Sequence, residues 1–88
     1  MEEITEYTAV RRDIDANKHV NNVIYLELAY QALQKEIDLN FKDIEIYYKK
    51  QIKLDETVKI YRKTENNTHI ICIKSKDERD LHAIIKFF

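Results

Sequence analysis

The chain has 88 residues, 44% of them hydrophobic and 35% charged, and a formal net charge of -1. That length fits one domain, and that charge gives no broad field to draw the chain to nucleic acid or to an anionic membrane. No apolar run approaches the roughly 20 residues of a membrane helix, a single cysteine rules out an internal disulfide and a cysteine-based metal cluster, and the lack of glycine removes the P-loop and the dinucleotide-binding fingerprint.

A chain this short buries roughly two thirds of the surface it exposes when unfolded, so dimerisation or docking is expected to help its core. The acidic start Met1-Glu2-Glu3 carries no signal-peptide pattern, which makes a cytoplasmic location the default expectation. Proline is missing as well as glycine. Turns that need positive φ therefore fall to asparagine and aspartate, at some steric cost.

Residues 4–10 predict a first strand, rich in β-branched and aromatic side chains. Residues 11–19 are polar and read as a loop. Asn21 or Asn22 then caps a helix, because a short amide accepts from the free N–H groups of the first turn. The helix is expected over about residues 22–37. Its apolar positions, from Val23 and Ile24 through Leu33 and Ile37, leave only the narrow polar stripe Glu27, Gln31, Gln34 and Lys35. That predicts a central helix enclosed on most sides.

The alternation of Ile44, Ile46, Tyr48, Lys50 and Ile52 with more polar neighbours is the period of a half-buried strand. Residues 57–65 and 68–74 predict a hairpin around Asn66-Asn67, a pair that tolerates a type I′ turn. A two-residue turn sets the register, pairing Ile60 with Ile73, Arg62 with Ile71 and Thr64 with His69, and on the other face Tyr61 with Cys72 and Lys63 with Ile70. Residues 81–88 form the last strand. Strand, helix and four strands make an α+β fold, one long central helix wrapped by an antiparallel sheet of about five strands.

The segment Arg11-Arg12-Asp13-Ile14-Asp15-Ala16-Asn17-Lys18-His19-Val20-Asn21-Asn22 concentrates the chemistry. If it is extended, Asp13, Asp15, Asn17 and His19 share one side. Two carboxylates, an amide and an imidazole then meet just before a helix N-terminus, whose free N–H groups favour developing negative charge. A carboxylate or imidazole can take a proton from water, which suits carbonyl chemistry. A polar loop with an Asn cap also begins many helices that catalyse nothing. Asp13, Asp15 and Asn17 match the first ligand positions of a calcium loop, but Lys18 and Ile24 stand where that loop needs glycine and glutamate, so no metal site is expected.

The same run, continued through Val23-Ile24-Tyr25-Leu26, resembles the signature of the acyl-ACP thioesterase family: Asp-x-Asp-x-Asn-x-His-Val-Asn-Asn, then the central helix and its tyrosine. The resemblance implies a hot-dog fold, and in particular the second, catalytic hot-dog unit of a tandem pair, with residues 1–88 forming that single unit. It implies hydrolysis of the thioester of a fatty acyl group on acyl carrier protein or CoA, with Asp15, Asn17 and His19 as catalytic residues and Asn21, Asn22 and Tyr25 as substrate-binding residues. Asp15 would be the base or orienting carboxylate, Asn17 would hold the reacting group and His19 would relay protons. No metal or organic cofactor is implied. The expected partners are the acyl thioester, acyl carrier protein, and a second copy or a second hot-dog unit. The position aligning with a catalytic glutamate of the family is Gln51, which hydrogen-bonds but is no base at neutral pH. The alternative implied is a catalytically incomplete acyl-binding or assembly half-domain.

Among the remaining residues, Cys72 reads as a buried structural thiol. His69 and His82 read as solvated surface histidines, too few for a zinc site. Arg11, Arg12 and Lys18 form a small basic cluster suited to an acidic carrier protein, or to solvent.

Overall fold

A computed structural model describes residues 1–88. Strand β1 (Glu2–Thr8) leads through a single 3-10 turn at Arg11–Asp13 into helix α1 (Asn22–Ala32). Strands β2 (Ile44–Tyr48), β3 (Thr57–Glu65), β4 (Thr68–Ser75) and β5 (Leu81–Phe87) follow. They form one antiparallel sheet in the order β1-β3-β4-β5-β2.

Asn66 and Asn67 take φ of 49° and 67°, the left-handed pair that a type I′ turn requires. The turn delivers the expected register, with Ile60 opposite Ile73, Arg62 opposite Ile71 and Tyr61 opposite Cys72. One sheet face thereby collects Val58, Ile60, Ile71, Ile73, Ile85 and Phe87, all at 0% exposure. Burying each such side chain stabilises by about 1.5–3 kcal/mol. Against that face α1 lays Tyr25, Leu28, Ala29 and Ala32. The two alanines let the helix approach closely.

Asn21 caps α1, its side-chain oxygen accepting from the Val23 N–H at 3.0 Å. The helix stops at Ala32, five residues short of the expected end at residue 37. Leu33 turns extended and buries, while residues 34–36 stay in water, so packing of Leu33 wins over further helix propagation. The Arg62 guanidinium donates to the freed Ala32 carbonyl at 2.9 Å. The helix is also less enclosed than its composition suggests. The sheet covers one side, and Val23 and Tyr30 remain 57% and 36% exposed.

Strand β1 ends two residues before the expected boundary, because Ala9 exchanges backbone bonds with the 55–56 turn. Strand β2 likewise ends at Tyr48, not residue 52. The Lys49 and Lys50 N–H groups both turn to the His82 carbonyl, and the chain leaves the sheet there. His82 itself has 0% exposure, which corrects the surface reading of that residue. Positive φ falls on Lys18, Asp55 and Glu78 as well as on the asparagines, so without glycine even lysine and glutamate carry left-handed turns. No helix is long and apolar enough to cross a membrane.

Candidate active site

The polar segment before α1 is a tight turn, not the extended stretch that alternation supposed. The Asp15 N–H donates to the His19 carbonyl at 2.9 Å and the Lys18 N–H to the Asp15 carbonyl at 3.0 Å. Lys18 closes the turn with φ of 66°. The Asp15 carboxylate sits inside it, with Oδ1 accepting from the Asn17 N–H at 2.9 Å and the His19 N–H at 3.3 Å. The residue that defines the site thus also folds it, by the Asx-turn chemistry of a short carboxylate.

Asp13 does not join this group. Its Oδ2 accepts from the Tyr7 hydroxyl at 2.6 Å, and its carbonyl accepts from the Asn21 N–H at 2.8 Å. Burial first, then the Asp13 bond, pushes the Tyr7 phenol well above its usual range. Asp13 therefore ties the loop to β1.

Asp15, Asn17 and His19 line one cleft of about 770 Å³. Arg11, Lys18 and Lys53 stand around it, three cations against the single carboxylate. The opposite wall is held by two backbone contacts. His19 bridges to Lys53, and the Val20 N–H donates to the Ile52 carbonyl at 2.9 Å.

Gln51 lies elsewhere. With Asn22, Tyr25 and Tyr48 it lines a second depression of about 270 Å³. Ile52, at 0% exposure, is the residue between Gln51 and the Lys53 wall of the first cleft. Tyr25 is only 2% exposed, and its hydroxyl accepts from the Ile52 N–H at 3.0 Å. Its ring meets Tyr48 edge-on at 5.3 Å between centroids. Burial raises the Tyr25 phenol above its usual range. The Asn21 side chain is occupied as the helix cap.

Lys53 escaped the sequence reading as a cleft residue. Its one signal is that it shares the alternation of Gln51, two positions earlier, and alternation does not reveal where a strand leaves its sheet. Glu56 and His82, beneath the same segment, had no sequence signal at all.

The model of the acyl-ACP thioesterase C-terminal domain matches residues 1–87. No curated protein matches the chain by sequence. Among solved structures, an acyl-ACP thioesterase from Bacteroides thetaiotaomicron superposes with a TM-score of 0.86 at 19% identity, over 99% of this chain and 37% of its own. The Escherichia coli probable thioesterase YbaW gives 0.77 at 20% identity, over 99% of this chain and 79% of its own. A Staphylococcus aureus protein solved in complex with CoA gives 0.76 at 15% identity, over 99% and 74%. At such identities these likenesses establish the fold. The chain spans little more than a third of the Bacteroides enzyme. The chain has the hot-dog fold and belongs to the family of acyl-ACP thioesterase C-terminal domains.

Proposed function

We propose that the chain hydrolyses the thioester of a fatty acyl group held on acyl carrier protein or CoA, at the cleft of Asp15, Asn17 and His19. The observation that carries the reading is that one tight turn sets these three side chains around a single cleft. Asp15 Oδ1 is committed to the turn, so Oδ2 is the oxygen that faces chemistry. It takes a proton from water, whose oxygen attacks the thioester carbonyl carbon. Asn17 holds the carbonyl, and His19 passes a proton to the departing sulfur. The C–S bond breaks to leave a free fatty acid and a thiol. Asn22 and Tyr25 are the contacts for substrate in the neighbouring depression, and Tyr25 acts there chiefly through Ile52. Both carriers present the thioester on an anionic phosphopantetheine arm, which the cleft's three cations suit.

The partner in this reading is a second hot-dog unit, either another copy or another domain. Val23, Tyr30, Tyr47 and Tyr48 leave apolar surface on the helix and on β2, and small domains gain most from covering such surface.

A second reading draws on Gln51. It stands apart from the Asp15 cleft and cannot supply a base, which favours an acyl-binding half that completes its site only with a partner. Thiol release from acyl-ACP and acyl-CoA substrates separates the two. Hydrolysis by the native chain that disappears in Asp15→Asn supports the enzyme. A folded native chain that binds acyl thioester but releases no thiol moves the assignment to the binding half.

A further inference from the structure

Apart from tyrosines, only two polar side chains are buried in this molecule, Ser75 and His82. Ser75 belongs to the turn before β5, where its hydroxyl donates to Asp77 Oδ1 at 2.7 Å. His82 has no such local use. It sits at 0% exposure beside Ala83, in a strand whose other inward residues, Ile85 and Phe87, are apolar.

The imidazole spans two separate pieces of backbone. Nδ1 lies 2.9 Å from the Lys50 carbonyl. A carbonyl only accepts, so Nδ1 carries the hydrogen. Nε2 lies 2.9 Å from Glu56 Oε2 and is buried there without a hydrogen bond. The other carboxylate oxygen of Glu56 accepts from the Lys53 N–H at 3.1 Å. Lys50 and Lys53 bracket Gln51 and Ile52. The same short segment forms the Lys53 wall of the first cleft and the Gln51 wall of the second depression.

We propose that His82 and Glu56 are a pair of positioning residues that hold segment 50–53 in register with the Asp15 turn. This rests on the hydrolase site proposed above, for which the segment supplies one wall. The segment has left the sheet, so no ladder fixes it. Its order comes from the Tyr25 hydroxyl on Ile52, the His19–Lys53 bridge with Val20 on the Ile52 carbonyl, the backbone bonds of Lys50 to the His82 carbonyl and of Glu56 to the Lys53 carbonyl, and this side-chain pair at its two ends. A buried polar atom without an aligned partner costs stability. Replacing a buried polar pair by apolar residues is often neutral or stabilising. His82→Leu alone, by contrast, removes one partner and leaves the Lys50 carbonyl without its donor, so it costs stability in either role, and the two are separated by where the loss falls.

The test compares wild type with His82→Leu, His82→Asn and Glu56→Ala, all as the whole chain. Residue-resolved amide exchange is read beside kcat and KM. In His82→Leu the core amides of Ile71 and Ile73 keep their protection, while those of Ile52 and Lys53 exchange about tenfold faster. Its kcat/KM falls about tenfold or more, as expected when the wall of the cleft is misplaced. His82→Asn, whose side-chain N–H can still reach the Lys50 carbonyl, recovers most of both losses. Glu56→Ala releases Lys53 in the same way and decides the matter should His82→Leu not fold. Unchanged exchange at Ile52 and Lys53, or an acceleration shared equally by the whole sheet, overturns the proposal. A wild type that releases no thiol refutes the hydrolase reading alone, since the exchange data still judge the tether.

Discussion

The Tyr25 hydroxyl accepts the Ile52 N–H at 3.0 Å, a bond between the buried face of α1 and a segment that belongs to no strand. Both partners are almost fully buried, Tyr25 at 2% and Ile52 at 0% exposure. Tyr25→Phe keeps the ring and strands the amide. An unmatched buried donor costs about 1–3 kcal/mol. Urea unfolding is expected to show that loss, and a change within error would mean that water replaces the phenol.

At the other end of the helix, Arg62 donates to the Ala32 carbonyl at 2.9 Å and to Glu2 Oε1 at 3.0 Å. The two bonds are unequal. Glu2 is largely exposed, and ion pairs of that kind contribute about 0–1 kcal/mol. The carbonyl bond satisfies a helix end that has no basic residue in its last turn. Arg62→Ala is expected to cost about 1–3 kcal/mol, and Glu2→Gln well under 1. Equal losses in thermal unfolding would place the stabilisation in the ion pair.

The three cations of the cleft give a kinetic expectation. Lys18→Glu combined with Lys53→Glu is expected to raise KM for acyl-CoA several-fold at low salt, with a smaller effect on kcat. Added salt should raise the wild-type KM and leave the variant nearly flat. A wild-type KM independent of ionic strength would remove the phosphate from the recognition.

Gln51→Glu introduces a carboxylate into the depression beside Tyr25 and Tyr48. If the second depression takes part in turnover, thiol release rises by about a hundredfold or more, within the range a positioned acid or base contributes. Unchanged release would mean that the Asp15 cleft works without that position.

The turn before β5 should respond to acid. Ser75 Oγ–H and then the Arg79 N–H, at 2.7 and 3.0 Å, hold the Asp77 carboxyl below its usual range. The folded-state value lies below the unfolded one, so the stabilisation is fully present above the unfolded value, about pH 4. It is lost as pH falls through the folded value. Asp77→Asn is expected to be less stable than wild type at pH 7, with the gap closing as pH falls through the folded-state value. A gap that persists in acid would show that the asparagine fails for reasons of geometry rather than charge.

The strongest sequence signals were local, and they held. The hairpin at Asn66-Asn67 was legible because only a few residue types tolerate two consecutive positive φ values, and its register followed from the turn length. The Asn21 cap was legible for a similar reason. The helix end was not, because it depends on Leu33 finding the core and on Arg62, 30 positions away, reaching Ala32. The shape of the candidate site's turn was not legible. Asp15, Asn17 and His19 do share a cleft, yet by an Asx turn closed at Lys18, which leaves Asp13 bonded to Tyr7.

By itself the sequence determined the order of elements, the apolar faces of the hairpin, and the family signature running from Arg12 to Leu26. These are properties of neighbours along the chain, where turn chemistry and side-chain period act directly. Tertiary structure decided where β2 ends, why His82 is buried, and that Gln51 and Asp15 face different hollows. Each of these turns on a contact between residues distant in sequence: Lys49 and Lys50 on the His82 carbonyl, His82 between Lys50 and Glu56, and Ile52 held by Tyr25. Alternation in sequence says which side a residue takes while a strand lasts, and only packing determines where the strand stops.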